Sequence, residues 1–420
     1  MDWNCPAERK YKAKMKTLKL LLIQLIIFTT VLSAQNTNKN NFLYFSSDQI
    51  ENVKNAIDNK DSRVTQYSQA LKAMADSAID DGPWSITSVM TKAVSGNAHD
   101  FFSEGPYWWP DTENPNGPYI RKDGLRNHDR FTAHDDMMGE ISNTVSILSY
   151  AAYLFDEEKY AKRAAYLLNV WFVDEETKMN PHLQYAQAIR NITDGRGIGI
   201  IETNHFTQLI EALNFLKQSG YWKDKDYNGV KNWFGKFAVW LTTSKNGLDE
   251  KMHGNNHSSW WTAQVIAYSI FSGHNEILDD MWAHTKDFLI ETQIAKEGNF
   301  PLEDERTRSL HYSVFNLNAL ASICKIGDEY NQNLWNYISS NGVNVLTSIN
   351  YIIPFLENPS TWTKQEISHD ENFDTKFLAF AGFALNNNKY IELFKKFETG
   401  QGDKSRSPFN IVLNMIVSLH

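Results

Sequence analysis

The stretch GNNHSSWWTAQVIAYSIFSG, residues 254–273, is typical of a helix that leaves a polar loop and enters a core. Asparagine and serine are favoured helix caps, and the apolar positions start directly after them. A helix start presents free backbone N–H groups and a partial positive charge, so it attracts a carboxylate. We therefore predict that Asn255, Asn256 and His257 lie on the loop that enters a helix and can face an acidic ligand.

Two other interpretations of this stretch stay open. The first is an ordinary capped helix with a surface histidine, although two adjacent asparagines and two tryptophans favour a binding role. The second is a metal site, because His253 and His257 are four residues apart. Gly254 and the asparagines argue against a helical metal pair, and no third ligand is near in sequence. We expect neither a metal ion nor another cofactor.

Apolar residues recur at steps of three and four from about Asn41 onward, and Ile141, Val145, Leu148 and Ala152 form one such helical face. Short turns with glycine, asparagine or proline separate these segments, and helix pairs recur about every 40–50 residues. Such spacing suits a solenoid or a toroid of helix hairpins. The sequence therefore predicts an all-α fold, with a single domain over residues 35–420.

Residues 15–34, MKTLKLLLIQLIIFTTVLSA, have the layout of a secretory signal peptide. A basic start with Lys16 and Lys19 precedes an apolar run that is too short for a comfortable membrane span. We predict cleavage near Ala34, with residues 1–14 as an N-terminal extension. The mature protein is then expected to be periplasmic or secreted, without a membrane span.

The overall charge limits the choice of ligands. The formal net charge is −9, so no global basic field is present to bind nucleic acid. An anionic ligand must instead be met by a local basic cleft.

Two segments interrupt the helical pattern and carry many functional side chains. They are FFSEGPYWWPDTENPNGPYIRKDG, residues 101–124, and MNPHLQYAQAIRNITDGRGIGIIETNH, residues 179–205. Long irregular segments in a compact domain are usually functional or disordered, and the aromatic content argues against disorder. Aromatic rings stack on sugar faces and planar amides bind hydroxyls, so the segments predict a carbohydrate cleft. The candidate binding residues in them are Trp108, Trp109, Tyr185, Gln187 and Arg196.

A further cluster lies in FPLEDERTRSLHYSVFNL, residues 300–317. Arg308 and Tyr312 are four residues apart, so they share a face if both are helical. Arg306 then belongs on the entering loop or on another face, and His311 lies beside Tyr312. Taken alone, the segment is also typical of a helix start with salt bridges, because three acidic residues precede Arg306.

These candidate residues suit one type of reaction. The sequence shows no isolated pair of carboxylates, no G-x-S-x-G nucleophile and no phosphate-binding loop. Asparagine, histidine, arginine and tyrosine suit the removal of a carbon-bound proton next to a carboxylate. In a polymer of 4-linked uronic acids, neutralising the carboxylate stabilises the charge that develops when the C5 proton leaves. A base then takes that proton and an acid protonates the leaving oxygen, which is a β-elimination.

Five motifs follow one another in the order GPYWWPD, YAKRAAYLLNVWFVDEETKMNPHLQYAQAI, GRGIGIIET, GNNHSSWW and FPLEDERTRSLHYSVFNL. Together they resemble the alginate lyase superfamily of polysaccharide lyases, over roughly half of the chain. The resemblance implies an (α/α) toroid, an incomplete barrel of helix hairpins with a deep cleft, and an anionic polysaccharide as substrate. Ser258, Ser259 and Trp260 stand where relatives often carry a glycine and a tyrosine, which affects substrate preference rather than the reaction.

The resemblance also implies roles for individual residues. The implied catalytic residues are Asn256, His257, Arg306 and Tyr312, with Arg308 as a rival to Arg306. The additional candidates for substrate binding are Asn255, Trp260, Arg308 and His311.

The predicted function is cleavage of 4-linked uronate polymers, alginate before glucuronan, with release of unsaturated uronate ends. Mannuronate and glucuronate place the C5 proton and the leaving oxygen on the same side of the ring. Tyr312 can then serve both steps, since a nearby arginine lowers the pKa of a tyrosine. Guluronate requires His257 as a separate base. The alternatives are a glycan-binding protein without catalysis and a helical-toroid glycoside hydrolase.

Overall fold

Local sequence determines where several helices begin. The side chains of Ser46 and Asn344 form capping boxes, and those of Asp61 and Ser407 accept a backbone N–H of the first turn. Such caps satisfy the backbone donors that the first turn of a helix leaves unpaired. Helix starts are therefore set by short polar motifs, and helix faces by the apolar periodicity that follows.

The computed structural model describes residues 42–367, 373–399 and 407–420. In these ranges helices dominate and strands are short, which confirms the predicted all-α class. The helices are α1 (Ser47–Asp58), α2 (Ser62–Ala78), α3 (Ala133–Leu154), α4 (Glu158–Leu168), α5 (Phe206–Gln218), α6 (Asp224–Thr243), α7 (Lys245–Lys251), α8 (Asn256–Ser272), α9 (Leu278–His284), α10 (Pro301–Asp304), α11 (Ser309–Asp328), α12 (Val345–Glu357), α13 (Lys376–Ala384), α14 (Asn388–Thr399) and α15 (Pro408–Leu419). Helix α4 continues into the π-helical turn Asn169–Val173, and α9 into Thr285–Ile290 and Glu291–Gln293.

Inner and outer helices alternate along the chain. The inner helices pack side by side, α3 on α5, α5 on α8, α8 on α11 and α11 on α13, while α4, α6, α12 and α14 cover them from outside. Helices α8 and α11 are buried on nearly every face, as a central position requires. Helix α6 instead buries a stripe that includes Val230, Phe234 and Leu241. This arrangement is the predicted (α/α) toroid.

The segment before α1 connects three helices that are distant in the sequence. The backbone N–H groups of Leu43, Tyr44 and Phe45 donate to the carboxyl group of Glu211 on α5. The ring of Tyr44 stacks on Phe380 of α13 at 5.5 Å between centroids, and Phe45 packs on a phenylalanine of α15. Burial raises the pKa of Glu211 to about 7, although the backbone donors oppose this shift. The segment thus links α5, α13 and α15.

The two irregular segments predicted from the sequence come together through strand pairing. Strand β1 (Phe102–Glu104) pairs in parallel with β4 (Tyr185–Ala188), and β2 (Trp108–Trp109) pairs antiparallel with β3 (Ile120–Arg121). The β1–β4 pairing brings residues 101–124 and 179–205 to the same end of the toroid.

From Phe42 to His420 the chain forms one unit. Within its described ranges, no helix combines the length and the apolar character needed to cross a bilayer. The predicted extension and signal peptide, residues 1–34, lie outside the described residues, so the cleavage near Ala34 and the domain start at residue 35 stay predictions.

Candidate active site

A cavity of about 720 Å³ opens at the N-terminal ends of four inner helices. Its lining includes Asp135 in the first turn of α3, Asn204 just before α5, Asn256 at the start of α8 and Tyr312 in the first turn of α11. Helix N-termini carry partial positive charge and free N–H groups, so their convergence favours an anionic ligand.

The side chains of the cavity strengthen this preference. Two carboxyl groups line it, those of Asp135 and Glu202, against six guanidinium groups. The lining arginines are Arg121, Arg126, Arg130, Arg196, Arg306 and Arg308. A chain with a net charge of −9 therefore forms a local basic cleft, as the sequence analysis requires for an anionic ligand.

The Asn255–His257 stretch lies at the start of α8. The side chain of Asn255 is the cap and accepts from the backbone N–H of His257 at 3.1 Å. Asn256 and His257 are therefore the first helical residues, whereas the sequence placed them on the entering loop. Asn256 is fully buried, and its backbone N–H and Nδ2 donate to the carboxyl group of Glu303 at 2.6–3.0 Å. Burial raises the pKa of Glu303 to about 7.

His257 is held from behind by a second carboxyl group. Its Nδ1 lies 2.8 Å from Oε1 of Glu250, which is fully buried at the end of α7. Burial, followed by the nearby Arg306 and other arginines, lowers the pKa of His257 to about 3. His257 is therefore a neutral imidazole that lines the cavity.

Arg306 and Tyr312 meet at the entrance of α11. Arg306 lies on the entering loop, and its guanidinium carbon is 3.7 Å from the centroid of the Tyr312 ring. Asp123 accepts from Nε of Arg306 at 3.2 Å and from Nη2 at 3.1 Å, and also from the backbone and hydroxyl of Thr307. This bidentate pair orients the guanidinium group and leaves Nη1 for a further acceptor. The ion-pair partner of Arg306 is therefore Asp123 and not one of the acidic residues directly before it in the sequence.

The hydroxyl of Tyr312 lies 2.5 Å from that of Tyr107. Burial and the neighbouring Tyr107 hold the pKa of Tyr312 above its ordinary value, although Arg306 lowers it. The prediction that a nearby arginine lowers the pKa of Tyr312 is therefore wrong for the free protein, because burial has the larger effect. Tyr312 is therefore a phenol at neutral pH and is ready to donate a proton.

A third group of polar side chains comes from β4 and the turn that follows it. Arg196 donates from Nε and Nη2 to the carbonyl and side-chain oxygens of Gln187, each at 3.0 Å. Gln187 has a φ of 49°, which is unfavourable for a residue with a side chain and is common at functional sites. Gly195 and Gly199 pack closely on β4 and the residue before it, because an added Cβ atom would lie 2.1 Å from the carbonyl oxygen of Gln184 or 2.5 Å from Cβ of Ala186. The glycines thus bring Arg196 next to Gln187.

Most predicted site residues line this one cavity. They are Trp108, Gln187, Arg196, Asn255, Asn256, His257, Arg306, Arg308, His311 and Tyr312. Arg308 precedes α11 and its Nη2 is 3.5 Å from Nδ1 of His311, so the two form a pair beside Arg306 and Tyr312.

Three predicted binding residues lie elsewhere. Trp260 is 3 % exposed and packs on Phe315, because its position in the second turn of α8 faces the core; its assignment as a substrate contact is wrong. Trp109 points away from the cavity and donates from Nε1 to a loop carbonyl. Tyr185 packs on a small apolar cluster with Phe102. Of the two adjacent tryptophans only Trp108 lines the cavity, since successive strand residues face opposite sides.

Several residues of the site were not predicted from the sequence. Tyr107 lies in a motif that was noted for its tryptophans, and Asp123 ends one of the two irregular segments. Glu250 and Glu303 lie in acidic runs that are typical of a solvated surface, yet both are fully buried. Glu202 lines the cavity and accepts from the hydroxyl of Ser103 at 2.6 Å, and burial raises its pKa to about 8. These carboxyl groups are buried by contacts with distant segments of the chain, and the local sequence does not show such contacts.

Comparison with known proteins agrees with this geometry. Residues 86–362 match the family model described as alginate lyase. The crystal structure of an alginate lyase from Bacteroides ovatus is 31 % identical, covers 91 % of this chain and 100 % of its own, and has a TM-score of 0.81. The alginate lyase A1-III from Sphingomonas species A1 is 16 % identical over 76 % of this chain and 85 % of its own, with a TM-score of 0.47. No curated protein gives a significant match. The chain belongs to the alginate lyase family of polysaccharide lyases.

Proposed function

We propose that this enzyme cleaves 4-linked uronate polymers, alginate first and glucuronan second, by β-elimination. The observation that carries the proposal is the meeting of Arg306 and Tyr312 with Asn256 and His257 in one arginine-rich cavity. These groups supply positive charge, hydrogen-bond donors and a phenol within one site, which is what elimination next to a carboxylate requires.

The reaction proceeds in one ring of the polymer. The carboxylate of the uronate binds at the start of α8, where His257 and Arg306 reduce its negative charge. The Nδ2 group of Asn256 contacts Glu303 and has a second hydrogen for the carboxylate of the uronate. The C5–H bond breaks, and its electron pair forms the C4=C5 double bond while the C4–O bond breaks. The phenolate form of Tyr312 takes the C5 proton, and the phenol formed in this way gives that proton to the leaving oxygen, so no water is consumed. Stabilisation of the charge on the carboxylate is the electrostatic part of the catalysis.

The direct test uses a panel of uronate polymers, with polymannuronate, polyguluronate and glucuronan as separate substrates. A lyase produces unsaturated uronate ends, which absorb ultraviolet light, in step with the loss of polymer length. Release of reducing ends without this chromophore would identify a hydrolase. Binding of polymer without either product would identify a glycan-binding protein.

Trp108 and Trp109 provide a matched pair for testing the binding face. Trp108→Ala is expected to raise KM by about 2- to 10-fold with kcat little changed, because a ring stacked on a sugar contributes about 0.5–1.5 kcal/mol to binding. Trp109→Ala removes the same type of side chain one residue away, outside the cavity lining, and serves as the control. Steady-state kinetics of both variants give the change in KM and kcat that each substitution causes. A larger KM effect for Trp109→Ala would show that the substrate follows a different face of β2.

A further inference from the structure

The carboxyl group behind His257 has no role in the mechanism described so far. Oε1 of Glu250 lies 2.8 Å from Nδ1 of His257, and Glu250 is fully buried. Its other oxygen, Oε2, has no hydrogen-bond partner among the described residues. The imidazole lines the cavity, so with Nδ1 engaged by Glu250 the substrate is left with Nε2. The protonation of the Glu250–His257 pair therefore decides whether Nε2 donates or accepts a hydrogen bond.

The number of protons on the pair has a simple consequence. If the pair holds two protons, a hydroxyl on the buried Oε2 would be a donor without an acceptor. The acid proton therefore lies between Oε1 and Nδ1, and the second proton lies on Nε2. Nε2 is then a hydrogen-bond donor. If the pair holds one proton, it lies on Nδ1, and Nε2 has a free electron pair and can act as a base.

The surroundings of the pair favour two protons. An ionised Glu250 would be a buried charge with one oxygen unsatisfied, which is costly. Burial raises the pKa of Glu250 well above its ordinary range, and Asp249 adds to the shift, while His253 and Arg196 oppose it. The charged groups that face His257 are Arg306, Arg196 and Arg121, and they disfavour an imidazolium ion. A neutral acid beside a neutral imidazole satisfies all of these conditions.

We propose that Glu250 is a positioning residue that keeps a proton on Nε2 of His257, so that His257 donates a hydrogen bond to the substrate carboxylate and does not act as the base. This inference rests on the proposed function for the identity of the carboxylate. The bound substrate reinforces it, because the negative charge of its carboxylate raises the affinity of the pair for its protons. Tyr312 is then the group left to take the C5 proton, which suits mannuronate and glucuronate and leaves guluronate without the separate base that its C5 configuration requires.

The direct test is nitrogen NMR of the protein labelled with ¹⁵N-histidine, which distinguishes a protonated from an unprotonated ring nitrogen. The His257 signals are assigned by their loss in His257→Gln. A protonated Nε2 in the wild-type protein at neutral pH is the expected result. A protonated Nδ1 with an unprotonated Nε2 would overturn the inference. This measurement needs no substrate, so its outcome is separate from that of the polymer assay.

Variants of Glu250 provide a kinetic test. Glu250→Gln is neutral and can donate to Nδ1, so it is expected to keep both the Nε2 proton and a kcat close to that of the wild type. Glu250→Leu leaves Nδ1 without a partner and is expected to lower kcat by about 10–100-fold, the usual effect of removing a group that orients a histidine. Asp249→Asn, at the exposed neighbouring position, is the control for a lost negative charge. If Glu250→Gln instead lost on the order of 10⁴-fold in kcat while it remained folded, an ionised carboxylate behind a basic histidine would be required, and the inference would be wrong.

Discussion

Tyr312→Phe is expected to lower kcat on every uronate polymer by at least about 10²–10⁴-fold, the usual contribution of one general acid or base. The leaving oxygen needs a proton whichever uronate is cut, and Tyr312 is the phenol that lies against Arg306 in the cavity. The substitution removes one oxygen and leaves the ring, so KM should change little. Steady-state kinetics with the ultraviolet assay measure both constants.

Tyr107→Phe is the matched control, because it removes the other hydroxyl of the 2.5 Å pair. It is expected to reduce kcat far less than Tyr312→Phe, since its hydroxyl contacts Tyr312 and not the reacting atoms. Near wild-type kcat for Tyr312→Phe would mean that the acid lies elsewhere. His311 would be the next residue to replace, because its ring is 5.4 Å from that of Tyr312 and lines the same cavity.

The pH dependence gives a second view of Tyr312. Its pKa is raised by burial and by Tyr107, so only a small fraction is phenolate at neutral pH, and that fraction grows as pH rises. If the phenolate takes the C5 proton, kcat/KM of the wild type should rise from about pH 6 to about pH 9. If Nε2 of His257 were the base, the lowered pKa of about 3 would leave it deprotonated over this range. The profile would then be flat.

Local patterns predicted much of this architecture. The caps and the apolar steps of three and four predicted the helical class, and the asparagine before α8 is the cap that the sequence indicated. The excess of polar and aromatic side chains in residues 101–124 and 179–205 predicted their convergence on a cleft. Each of these features depends either on residues that are near one another in the chain or on the composition of a segment. The sequence alone shows both of these properties.

Other features depend on contacts between distant segments. Glu303 lies 47 positions from Asn256, and its carboxyl group is buried by that contact; the sequence around it is the same acidic run that a solvated loop would carry. Trp260 and Trp108 are each followed by a second tryptophan, yet Trp260 faces the core and Trp108 lines the cavity. The raised pKa of Tyr312 likewise follows from burial, which spacing to an arginine does not reveal.

Arg306→Ala is expected to lower kcat by about 10²–10³-fold, the typical effect of losing one preorganised donor to a developing oxyanion. The guanidinium group is fixed by Asp123 through Nε and Nη2 and lies against the Tyr312 ring. Its positive charge is therefore in place before the substrate carboxylate arrives. Arg306→Lys keeps the charge and a partner for Asp123 but loses the planar fork, so it should recover only part of the activity.

Arg308 is the matched control because it stands two residues away at the same helix entrance and also lines the cavity. Its guanidinium group contacts His311 rather than the ring of Tyr312, so Arg308→Ala should raise KM more than it lowers kcat. The two arginines carry the same charge and line the same cavity, but Arg306 is held by Asp123 against the ring of Tyr312, whereas Arg308 lies beside His311. Equal losses of kcat for the two alanine variants would show that total positive charge in the cleft matters and that the placement of Arg306 against Tyr312 does not. A thermal melt of Arg306→Lys beside the wild type ensures that the loss reflects chemistry and not unfolding around Asp123.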